Sequence, residues 1–225
     1  MPHLIRITTV VRRIVAFVAG AVCVGAAQSA SAHPHVFIEA NLEIVRNEAG
    51  SVTELRHVWR FDELFSASVL LDYDANGDNK LDAGELDEVS ATVTSSIAEY
   101  DFYTEMRVGS DPVEFAPPAR IMVDYVDNQI LMFFALQPSR AIETKSGKFK
   151  IAVSDSSFYV ALEIANEAAV QILGGGTDCT VKIDRPDYDA LLARNTQTLT
   201  EQFFSDPKNA VLGDDWLTWI TPQCK

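Results

Sequence analysis

Asp74 to Glu85 reads DANGDNKLDAGE, with side-chain oxygens at its first, third, fifth, ninth and twelfth positions. A calcium ion takes roughly six to eight oxygens at about 2.3–2.6 Å, and a twelve-residue loop between two helices supplies them from alternate positions and a closing bidentate carboxylate. In this frame Asp74, Asn76 and Asp78 are the first side-chain ligands and Lys80 offers its backbone carbonyl. Asp82 acts through water, Glu85 closes the ring and Leu81 takes the inward apolar position. A frame starting at Asp72 ends on Ala83, which has no side-chain oxygen, and is rejected. Asn79 stands where glycine is usual, because the chain there turns through positive φ; asparagine tolerates that conformation better than most residues. Capping by Asp82 and Glu85 alone explains two of these residues and leaves the alternating oxygens before them unexplained.

A second group of ligand types lies at His33 and His35, one proline apart. If processing follows Ala32, His33 carries a free α-amino group beside its imidazole. Such nitrogens suit nickel, cobalt, zinc or copper far better than calcium. Pro34 has no amide proton, so a square site built on successive deprotonated amides is excluded. The returning strand brings Asp62 and Glu63 toward His35, so the expected cluster is the amine, His33, His35 and Asp62. His57 falls opposite Asn41 to Glu43, too far along to join it.

These residues need elements to hold them. Residues 1–32 have the parts of a secretory leader: Arg6, Arg12 and Arg13, an apolar run from Ile14 to about Ala27, then Ala30-Ser31-Ala32. The expectation is a removed signal peptide and a periplasmic domain over 33–225. No later run is long enough to anchor in a bilayer. The whole chain carries a net charge of −14, and losing the three arginines of the leader makes it −17. Such a surface repels nucleic acid and anionic membrane. The two cysteines outside the leader, Cys179 and Cys224, are expected to form one disulfide in an oxidising compartment.

Alternating apolar residues predict strands over 35–45 and 52–61 joined by a turn at 47–51, a hairpin around Asp127-Asn128, and a further hairpin of 148–153 with 158–164. Helical spacing appears only at Phe61, Leu64, Phe65 and Val69, and at Leu86, Val89, Val93, Ile97 and Tyr100. The fold class is therefore α+β: mainly antiparallel sheet, sandwich-like, with an inserted helix–calcium loop–helix unit over about 61–105. Hydrolase chemistry finds no support. The Ser154–Ser157 stretch has no assigned base, and Gly174–Gly176 lacks the Lys-Ser/Thr that follows a phosphate-binding loop.

The motifs HPHVFIEA, HVWRFDELFSASVL, the calcium loop, IAEYDFYTEMRV followed by PVEF, and CTVKI together resemble domain-of-unknown-function family 1007 over most of 33–225. Members of that family are often labelled as periplasmic components of an uncharacterised transport system, and many are encoded beside nickel or cobalt permeases. The resemblance implies periplasmic location and an accessory role in metal handling without an established activity, and the expectation is a non-enzymatic metal-binding protein with a membrane permease as partner. By position it points to His33, His35, Asp62 and the Asp74–Glu85 loop. Two alternatives stand beside this reading: an interaction module with purely structural calcium, and a copper-dependent oxidative enzyme using the N-terminal histidine.

Overall fold

Period-two alternation hides one face of a strand and wets the other, and it runs longest over 36–46 and 51–61. A computed structural model describes residues 34–144, 149–176, 178–195 and 213–224. Its elements run β1 (Val36–Arg46), β2 (Ser51–Phe61), α1 (Glu63–Tyr73), α2 (Ala83–Ala98), β3 (Thr104–Val108), β4 (Asp111–Pro112) and β5 (Phe115–Ala116). They continue with β6 (Met122–Val126), β7 (Gln129–Pro138), β8 (Ile142–Glu143), β9 (Phe149–Val153), β10 (Val160–Glu163) and β11 (Val170–Leu173). The last are β12 (Cys179–Asp184), α3 (Tyr188–Asn195) and β13 (Trp219–Cys224).

The strands form two sheets. The larger runs β10-β1-β2-β7-β5, with β11 also on β1, β6 on β7 and β8 on β2; the smaller runs β12-β13-β9-β3-β4. Their inner faces share one core, to which β1, β2 and β7 bring Leu42, Ile44, Trp59 and Met132, and β3, β9 and β13 bring Met106, Ile151 and Ile220. This is the expected α+β, sandwich-like arrangement, mainly antiparallel.

Two of the three expected hairpins form. β1 and β2 pair antiparallel with Leu42 opposite His57, inside the span read from the sequence. β6 and β7 join through Asp127 and Asn128, both at positive φ (52° and 63°), which matches the right-handed twist of the strands they connect.

The third expected hairpin is corrected. β9 pairs with β3 and β13 in the smaller sheet, whereas β10 runs parallel to β1 in the larger one. The carboxylate of Asp155, buried between them, accepts hydrogen bonds from the Ser157 and Val160 amides and the Ser157 hydroxyl. Phe158 follows at φ 59°. These bonds carry the chain across to the other sheet. With β11 also parallel to β1, β1 has two parallel neighbours that local pattern did not disclose.

The first two helices each begin at an aspartate. Asp62 caps α1, and Asp82 caps α2 in a reciprocal box with Glu85. Ser66 of α1 donates to the Asp62 carbonyl and accepts the buried Ile130 amide, fixing the helix to β7. After α2 the chain makes a left-handed turn in which Asp101, Phe102 and Tyr103 all have φ near 50°. That conformation costs about 1–2 kcal/mol per residue. Burial of the Phe102 ring beside Phe134 returns roughly 1.5–3 kcal/mol.

Candidate metal centre

The Asp74–Glu85 loop joins the end of α1 to the start of α2. Asn79, its sixth residue, has φ 62°, and Gly77 has φ 73°. Leu81, the eighth, is buried in the core, and so is most of the Glu85 side chain. The chain therefore turns where a calcium loop must turn and points its apolar residue inward. Asparagine at the sixth position adopts the left-handed conformation that its place in the frame requires.

The oxygens of the loop are tied to its own backbone. Asp74 Oδ1 accepts from the Gly77 and Asp78 amides at 2.8 and 3.1 Å, and Oδ2 accepts from Asn79 at 2.7 Å. Asn76 Oδ1 accepts the Asp78 amide and Asp78 Oδ1 accepts the Lys80 amide. Glu85 spans the loop, with Oε1 on the Ala75 amide and Oε2 on the Asp82 amide. Asp82 Oδ1 accepts from Gly84 and Glu85. Each carboxylate has about four lone-pair sites, so these bonds orient the oxygens and leave acceptor capacity. Among the described residues, no three His, Cys, Asp or Glu side chains gather as a metal-holding group. The donor set, all oxygen, fits a hard cation; binding requires the side chains of Asp74, Asp78 and Glu85 to converge from these positions.

The second predicted cluster is less assembled. His33 lies outside the described residues. His35 is exposed at the head of β1; its amide donates to the Tyr159 carbonyl at 2.9 Å and its ring sits 4.9 Å from that of Tyr159. Asp62 lies opposite Phe37, two residues from His35, with its amide on the Phe37 carbonyl. Its Oδ1 accepts the Phe65 amide at 2.9 Å and Oδ2 the Phe37 amide at 2.8 Å. Asp62 is a helix cap and a strand latch.

His57 sits in the core, stacked on Phe134 at 4.5 Å with its Nε2 3.4 Å from Thr104 Oγ1. Burial lowers its pKa to about 3, so it is neutral. Its Nδ1 and the Trp59 Nε1 have no hydrogen-bond partner among the described residues. A cavity of about 1140 Å³ opens beside the left-handed turn, lined by Tyr100, Asp101, Tyr103, Val113, Phe115 and Ser154 among others. It includes neither the loop's oxygens nor His35.

Cys179 and Cys224 form the expected disulfide, directly opposite each other at the ends of β12 and β13. Sequence reasoning passed over Arg46, whose guanidinium reaches Cys224 and Gly174. The run of three glycines at 174–176 was the available signal, since consecutive glycines often mark a close approach.

No helix among the described residues is long and apolar enough to cross a membrane. A family model described as "Protein of unknown function (DUF1007)" matches residues 18–224. An "Uncharacterized protein" of Haemophilus influenzae is 23% identical over 160 residues, covering 70% of this chain and 75% of that protein. An "Uncharacterized 15.5 kDa protein in trpE 3'region" of Spirochaeta aurantia is 21% identical over 110 residues, 48% of this chain and 78% of that one.

Proposed function

The chain belongs to the DUF1007 family of proteins of unknown function, and from that premise we propose that it is an exported, periplasmic metal-binding accessory protein. Its resident ion is calcium, held between α1 and α2. The observation that carries this reading is the conformation of the Asp74–Glu85 loop: Asn79 left-handed at the sixth position, Leu81 inward at the eighth, and Glu85 buried at the twelfth. The ligands are the side-chain oxygens of Asp74, Asn76, Asp78 and Glu85, the Lys80 carbonyl, and Asp82 through water. Bound calcium supplies a charge clamp between the helices. A lone site of this kind works at sub-millimolar to millimolar affinity where calcium is plentiful.

His33 and His35 handle nickel, cobalt, zinc or copper for a membrane permease. The exposure of His35 at the head of β1 supports that role. The Cys179–Cys224 disulfide fits the oxidising compartment this requires. No catalytic step is assigned.

Calorimetric titration of the untagged, processed protein tests both parts. Calcium heat that vanishes in Glu85→Gln, and nickel or zinc heat that vanishes in a His33→Ala, His35→Ala variant, support the reading. Absent calcium heat removes the clamp. Nickel and zinc heats unchanged by the histidine variant, or missing altogether, remove the handling role and leave an interaction module.

A further inference from the structure

Arg46 ends β1 with its side chain almost fully buried, 6% exposed. Its Nη2 donates to the Gly174 carbonyl at 2.5 Å, and its Nη1 stands 3.5 Å from Cys224 Sγ. A Cβ at position 175 would lie 2.7 Å from the Arg46 Cζ, so the glycine there makes room for the guanidinium. The contact is thus built from both sides, by a buried cation and by a backbone shaped to admit it. Cys224 shares its disulfide with Cys179, directly across from it, and both residues are partly exposed. β12, which carries Cys179, is the edge strand of its sheet.

A fixed cation beside one sulfur makes the two ends of the bond unequal. The arginine side chain carries its charge as a planar guanidinium. A thiolate next to such a cation is stabilised, and the sulfur with the lower pKa is the better leaving group in thiol exchange.

We infer that the Cys179–Cys224 disulfide is a directed thiol-exchange site. An incoming thiolate bonds to Cys179 Sγ, the disulfide breaks, and its electron pair goes to Cys224 Sγ, which leaves as a thiolate facing Arg46. With a dithiol as reductant, the second thiol then attacks the mixed disulfide and frees Cys179. Two electrons pass from the dithiol, which becomes a disulfide, and the protein gains two thiols. Reduction removes the covalent link between β12 and β13 and leaves their backbone ladder, while Cys224 keeps its contact with Arg46 at the end of β1. The partner class is a low-molecular-weight or protein thiol.

The test uses the processed full chain under native conditions, with glutathione as the probe, acid quench and peptide mass mapping. Glutathione on Cys179 with Cys224 trapped by an alkylating agent is the expected result. In the reduced protein Cys224 is alkylated about tenfold faster than Cys179 at neutral pH; Arg46→Met removes the difference and Arg46→Lys keeps most of it. Glutathione on Cys224, equal labelling of both, or no exchange without denaturant overturns the inference. If Arg46→Met does not fold, the mapping of the unsubstituted protein decides alone.

Discussion

One carboxylate both starts α1 and secures the head of β1, since Asp62 holds the Phe65 amide on one oxygen and the Phe37 amide on the other. Removing a helix cap costs about 1 kcal/mol and up to about 2 in strong cases. Asp62→Ala is therefore expected to lower the unfolding free energy by about 1–2 kcal/mol in urea, with Asp62→Asn losing less. His57 contributes to the acid response. Its folded pKa, about 3, lies below the ordinary 6.5, so the unfolded chain takes up a proton that the fold refuses. Stability is unaffected by this group above pH 6.5, falls by about 1.4 kcal/mol per pH unit below it, and stops falling through this group near pH 3. His57→Leu should flatten that part of a stability–pH curve measured by chemical denaturation. An unchanged slope would assign the acid loss elsewhere. The positive φ of Asn79 could be read from its place in the loop, and the inward parity of His57 from its neighbours Leu55 and Trp59. The second role of Asp62 could not, because it depends on which strand residue lies opposite.

Elements whose turns carry their own chemistry were legible in advance. Asp127-Asn128 and the stretch around Gly50 are local instructions, and both hairpins formed, that of β1 and β2 with His57 in its expected register. The Ser154–Ser157 segment looks equally like a turn in the sequence but serves as a crossing between sheets. Its direction is set by the buried Asp155 carboxylate and by β1 as a distant parallel partner. Periodicity cannot report such a partner. Asp155→Ala strands buried donors that the carboxylate satisfies, at roughly 1–3 kcal/mol, and the expected outcome is a lower melting temperature with the β1–β2 amides still protected in hydrogen exchange. Loss of protection throughout both sheets would show the crossing to be essential to the whole fold. The left-handed turn at Asp101–Tyr103 was equally invisible, since none of its three residues is glycine and the Phe102 ring it buries lies beside Phe134, far along the chain.

For the whole molecule, the disulfide closes a span of 45 residues, which in the chain-entropy account stabilises the fold by roughly 4 kcal/mol. Cys179→Ser with Cys224→Ser should lower the denaturation midpoint accordingly, and a loss under about 1 kcal/mol would mean that β12 and β13 are held by their ladder alone. The net charge of −14 works against compaction, so a divalent cation on the Asp74–Glu85 loop relieves repulsion as well as joining α1 to α2. Binding to the folded chain alone raises stability by mass action. The most direct measurement is the melting temperature of untagged protein in chelator and in millimolar calcium, with Glu85→Gln as the control. The expected result is a calcium-dependent rise of several degrees that the variant loses. Identical melting in chelator and in calcium would contradict it.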